Sequence, residues 1–185
     1  SESSRVAKDS FGDHTSPGKM NIRLTTVCFF VIQAMGFAMP INPETSRECI
    51  ILIHGLGRTS LSMKRLEWTL QSAGYQVVNV SYPSRKFTVK QLAENDLRDA
   101  IAGEIPRTAD KVHFVTHSMG GILLRQYLSN HSVENLGSIV MLAPPNQGSE
   151  LADYFKRNRM GRWILGPAGC QLGTAATDLP KQLGA

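Results

Sequence analysis

From Cys49 onward the chain alternates short apolar runs with stretches whose apolar residues recur at helical spacing. Cys49-Ile50-Ile51-Leu52-Ile53 is a continuous apolar run of strand length that ends at His54-Gly55-Leu56-Gly57. A run that is apolar on both faces suits a central parallel strand covered by helices. Met63, Leu66, Leu70 and Ala73 then share one helical face, and Gly74 stops that helix as a C-terminal cap. Tyr75 to Ser81 reads as the next strand, with Val77, Val78 and Val80 inside it and Tyr82-Pro83 closing it. Thr88 and Gln91 have capping-box spacing, and Val89, Leu92, Ala93, Leu97, Ala100 and Ile101 continue along one helical face. Val112 to Thr116 reads as a third strand, followed by His117-Ser118-Met119-Gly120-Gly121 and a helix to about Asn130. Ser138 to Ala143 is a fourth, ending in Pro144-Pro145. This rhythm predicts right-handed βαβ crossovers and an α/β fold: a doubly wound, mostly parallel sheet with helices on both faces.

The pattern before Cys49 is different. Residues 1–19 are rich in Ser, Asp and Gly, show no apolar period and read as a disordered leader. Residues 20–38 have the three parts of a secretory signal peptide: Arg23, the apolar stretch Leu24 to Phe37, and the small residues Gly36 and Ala38 ahead of a cut after Ala38. The apolar run falls short of the ~20 residues that span a bilayer, so a signal fits better than an anchor. A mature domain over 39–185, secreted or periplasmic, is the expectation.

Composition narrows the class. Among 185 residues, 42% are hydrophobic and 19% charged, which excludes a coiled coil, a collagen-like repeat and a disordered chain and leaves one globular domain. The net charge of +5 is too small to point to nucleic acid, and none is expected as a partner. Cys28, Cys49 and Cys170 have neither CxxC spacing nor a histidine cluster, so neither metal nor cofactor is expected. Once the leader is removed, Cys49 and Cys170 either pair or remain two half-buried thiols.

Chemistry concentrates at two turns. Ser118 falls on a sharp turn from a buried strand into a helix, which lifts its hydroxyl above the strand end. The helix N-terminus behind it offers free N–H groups and a positive dipole to a developing oxyanion. Gly120 and Gly121 keep the helical side of the turn small. Thr116-His117-Ser118-Met119-Gly120 resembles the G-x-S-x-G nucleophile elbow of α/β-hydrolase lipases and esterases, with Thr116 in place of the first glycine. His54-Gly55-Leu56-Gly57 is similar to the HG-x-G turn of such lipases, and Leu142-Ala143-Pro144-Pro145-Asn146-Gln147-Gly148-Ser149 looks like the loop after the next strand in bacterial lipases and related hydrolases. The resemblance covers Cys49 to Gln171 and suggests the minimal form of that fold. It implies Ser118 as nucleophile, the backbone N–H groups of Leu56 and Met119 as the oxyanion hole, and His54 and Gly55 against the substrate. The implied substrate is a lipid or small ester, cleaved through an acyl-enzyme.

In this fold the acid and the histidine follow the serine. The histidine that follows Ser118 is His131, one helix away at ~20 Å, where an exposed or C-capping role suits it better. His113 reads as a half-buried strand residue, and His117 leaves the elbow in another direction. Glu134, Glu150, Asp153 and Asp178 are the later carboxylates weighed, and none follows a strand as the family's acid does. The expectation is therefore a chain cut short and inactive alone, whose reading frame continues for ~50 residues through two more βα units that carry an Asp and a His. The same nucleophile would serve a thioesterase or acyltransferase, and a non-catalytic lipid- or protein-binding domain is the alternative from another class. Trp163-Ile164-Leu165 belongs to an acyl pocket, a small lid or the core. Lys156, Arg157, Arg159 and Arg162 form either a solvated face or a peripheral membrane contact.

Overall fold

The computed structural model describes residues 47–183. The leader and signal-peptide expectations, over 1–38, lie outside the described residues.

Four strands form one sheet: β1 (Glu48–Ile53), β2 (Gln76–Val80), β3 (Lys111–His117) and β4 (Leu136–Leu142), in the order β2-β1-β3-β4. All three pairings are parallel, with Ile53 opposite both Val80 and Thr116, and Val115 opposite Val140. The connections carry α1 (Lys64–Ser72), a helix α2 over 89–104, and α3 (Met119–Leu128). After β4 come α4 (Glu150–Lys156), α5 (Arg159–Cys170) and the short α6 (Leu179–Gln182).

The alternation of β1 builds two cores, as strand geometry requires. Cys49, Ile51 and Ile53 join α2, α3 and α5 on one face, while Ile50 and Leu52 meet Leu66 and Leu70 of α1 on the other. Every residue from Cys49 to Ile53 is fully buried. Each fully buried aliphatic side chain contributes roughly 1.5–3 kcal/mol, so β1 is the anchor of the sheet.

The local signals set the helix ends. Gly74, at φ +95°, closes α1: its N–H donates to the Gln71 carbonyl and that of Tyr75 to the Leu70 carbonyl. Thr88 and Gln91 form the full capping box at the start of α2. That helix is not uniform, however. Val89–Leu92 is α-helical, Ala93–Leu97 is a π turn and Arg98–Glu104 is α-helical again. The wider turn keeps Leu92, Ala93 and Leu97 all buried, a packing demand that periodicity does not register.

Further differences are local. His113 is buried rather than half-buried, at 2% exposure. Its Nδ1 accepts from the Ser138 N–H at 2.9 Å where the β3–β4 register shifts, and Gly137 makes room for the ring. Cys49 and Cys170 are free thiols; burial pushes the Cys49 thiol up to about 11. Trp163 and Leu165 part company: Trp163 is 79% exposed and Leu165 joins the core. No helix among the described residues is long and apolar enough to cross a membrane.

Candidate active site

The strand ends of β1 and β3 bring the two turns together. Ser118 has φ 52° and ψ −122°, a conformation costly for a side chain with a Cβ and kept only where the surroundings enforce it. Several contacts do so. Its N–H donates to the Leu142 carbonyl at 2.9 Å, and its own carbonyl accepts from Gly121 at 3.0 Å. A Cβ at Gly120 would lie 2.5 Å from the Ile53 carbonyl oxygen and 2.8 Å from that of His54, so only glycine lets α3 start this close to β1. Met119, at the first turn of α3, is fully buried. Thr116, where the family motif has a glycine, is fully buried as well, and a Cβ on Gly121 would stand 3.2 Å from its Oγ1. The helical-side glycine supplies the room that the strand-side threonine takes.

The turn after β1 presses on this elbow. A Cβ at Gly55 would stand 3.1 Å from Ser118 Cβ and 3.1 Å from His117 Nδ1, which puts the Gly55 backbone beside the serine. Leu56 seats its side chain on α5, where Gly169 leaves space for its Cδ2. His54 is fully buried and turned inward: its Nδ1–H donates to the Gly55 carbonyl at 2.9 Å, and its ring stacks on Tyr82 at 4.2 Å. Burial holds its pKa below the ordinary histidine value. The imidazole is therefore a neutral brace for the turn, and the backbone of the turn is what faces the elbow.

Two residues at this brace carry no sequence signal beyond closing a strand. Tyr82 donates its hydroxyl to the His54 carbonyl, and Ser84, 4% exposed, accepts the Gly57 N–H at 3.0 Å. Both lie in the loop after β2, and neither spacing nor periodicity marks them.

Other ionisable groups are engaged elsewhere. His131 follows α3 and pairs with Glu94 at 2.7 Å while stacking on Tyr127. Asp153 and Asp178 hold Lys156 at 3.2 and 2.9 Å, and Asp153 also accepts from the backbone and hydroxyl of Thr174. His117 is exposed; partial burial of its ring and the charge of Arg58 lower its pKa. Among the described residues no side chain hydrogen-bonds the Ser118 hydroxyl, and no group of three His, Cys, Asp or Glu side chains could hold a metal ion.

The same architecture occurs in known proteins. The mature lipase BlEst2 of Bacillus licheniformis superposes with a TM-score of 0.60 at 22% identity, over 74% of this chain and 59% of that one. The phospholipase PlaB of Legionella pneumophila gives a TM-score of 0.53 at 26% identity, over 74% and 34%. In sequence, the human lysosomal thioesterase PPT2 is 25% identical over 132 residues, and the bovine protein of that name 24% identical over 123. The chain spans about two fifths of the length of these curated relatives: 41% of the human protein and 38% of the bovine one. The model of the alpha/beta hydrolase family matches residues 50–182, most of the chain and both turns, and the protein belongs to that family.

Proposed function

We propose that the protein is a serine hydrolase of acyl esters, with Ser118 as nucleophile and the backbone N–H groups of Leu56 and Met119 as its oxyanion hole. One observation carries the reading: Ser118 holds a positive φ at the strand-to-helix turn with Gly55 pressed against its Cβ. A strained conformation held in a surround too tightly packed to relax is what a preorganised nucleophile with backbone donors at its oxyanion site requires, and it supports the reading. Attack by Oγ on an ester carbonyl would place the negative charge at the start of α3, where unbonded N–H groups and the helix dipole favour it. Loss of one such donor typically lowers the rate by ~10²–10³. His54, buried against Tyr82, serves the turn through its brace and not as the base that takes the serine proton.

Thioester cleavage by the same serine is the second reading, and the similarity to the lysosomal thioesterase favours it. Both are tested on the natural full-length protein with p-nitrophenyl butyrate and an S-acyl thioester. Ser118→Ala should lower turnover by about 10⁴–10⁶ with the fold retained. Undiminished hydrolysis by the folded variant would falsify the assignment, and the ratio of the two substrates separates ester from thioester preference.

A further inference from the structure

A cleft of 730 Å³ opens beside the turn after β1, walled by residues 57–59, the loop 82–86 and helix α5. Its charge is one-sided. Arg58, Arg85, Lys86 and Arg162 line it, and no carboxylate does. Among the described residues none of these four makes a salt bridge, whereas Lys156 nearby in sequence meets two aspartates. Among the described residues Arg85 and Arg162 donate to carbonyl oxygens, those of Ile164 at 3.4 Å and Lys156 at 3.0 Å. Four like charges around one concavity repel one another, and an anion between them would relieve that repulsion.

The three walls are fastened to one another. The Gly57 N–H donates to Ser84 Oγ, tying the first wall to the second. Gly166, at φ +67°, breaks α5 where a Cβ would strike the Arg85 carbonyl at 2.1 Å, tying the third wall to the second. Gly57 lies two residues from Gly55, within ~7.6 Å along the backbone, and Gly55 touches the elbow. Arg58 is near enough to the elbow to act on the ionisation of His117. Exposed Trp163 supplies an apolar wall next to Arg162.

We propose that this cleft binds a phosphate group of the substrate, so that the preferred substrate is an acyl ester or thioester carrying phosphate on the part that lies beyond the turn. The proposal rests on Ser118 being the nucleophile. A carboxylate would be served by a single arginine; four cations match a dianion or a pyrophosphate. The planar forks of Arg58, Arg85 and Arg162 suit bidentate contact with phosphate oxygens, and Lys86 adds a mobile point charge. Such a group comes from two sources, a phospholipid headgroup or a soluble carrier such as coenzyme A.

The test uses the natural full-length protein. Titration with inorganic pyrophosphate at low salt should show saturable binding. Arg85→Ser with Arg162→Ser, both exposed positions, should weaken it at least tenfold. Arg157→Ser with Arg159→Ser, exposed but outside the cleft, should change it less than twofold. No saturable binding, or equal weakening by the two pairs, overturns the proposal. In a second arm, kcat/KM is compared for p-nitrophenyl butyrate, palmitoyl-coenzyme A and phosphatidylglycerol vesicles. A phosphate-bearing substrate should be preferred, and the Arg85/Arg162 variant should lose that preference tenfold or more; an unchanged preference counts against the cleft. Cleavage of the thioester alone identifies a soluble carrier, and cleavage of the vesicles alone a lipid headgroup. Hydrolysis of none of the three rejects the nucleophile itself, and the pyrophosphate titration then decides the cleft alone.

Discussion

Strands β3 and β4 lie side by side in one ladder, yet they meet the rest of the molecule on different terms. From Val112 to Thr116, β3 is buried throughout, while β4 is half-buried from Gly137 to Leu142. Each ends in a non-glycine residue at positive φ, Ser118 at 52° after β3 and Ala143 at 48° after β4. Ser118 is locked by Gly55, by Gly120 against β1 and by the hydrogen bond to Leu142; Ala143 is exposed. Strain persists where the surroundings over-determine it. The difference teaches that the geometry of the elbow comes from the β1–β3 side, and that β4 contributes chiefly the carbonyl of Leu142.

The comparison can be broken most sharply at Gly120. Gly120→Ala forces a Cβ onto two backbone carbonyls of the β1 end, where nothing can swing aside. A loss of about 3 kcal/mol is expected by urea unfolding, with ester hydrolysis falling alongside it. Retention of both stability and activity would show that the β1–α3 contact does not hold the elbow.

A matched pair sharpens it. Val115 and Val140 are partners across the ladder, one fully buried and the other half-buried. Val115→Ala should cost about 2 kcal/mol and Val140→Ala less than about 1 kcal/mol. Equal losses would mean that β4 is as well packed as β3 in solution.

The smallest effect is on pH dependence. Burial lowers the pKa of His54 and of His113 from the ordinary 6.5, with Lys111 adding to the shift at His113. Both are therefore neutral in the fold, and both take up a proton more readily in the unfolded chain. Stability from this source is present above pH 6.5 and is lost as the pH falls through that value toward the depressed folded pKa. Thermal unfolding between pH 8 and 5 should show a gradual drop in Tm that begins near 6.5. A Tm that stays level to pH 5 would place both rings in contact with water.

Much of this protein follows from sequence alone. Five consecutive apolar residues at Cys49 to Ile53 dictate a strand buried on both faces, and Gly74 and the Thr88–Gln91 box dictate where helices end, because these are effects of near neighbours in the chain. The elbow is legible for the same reason, since Ser118 stands between a strand and two glycines, although what requires Gly120 is the approach of α3 to the end of β1. Only the tertiary structure decides what those turns touch. That Gly55 meets Ser118, that Tyr82 and Ser84 brace the first turn, and that Arg58, Arg85 and Arg162 face one cleft all depend on segments far apart in the chain being folded together. The π turn at Ala93–Leu97 and the insertion of His113 into the ladder belong with these, since each answers to the packing of a neighbouring element. Local propensity acts through neighbours in sequence, and these contacts act through neighbours in space.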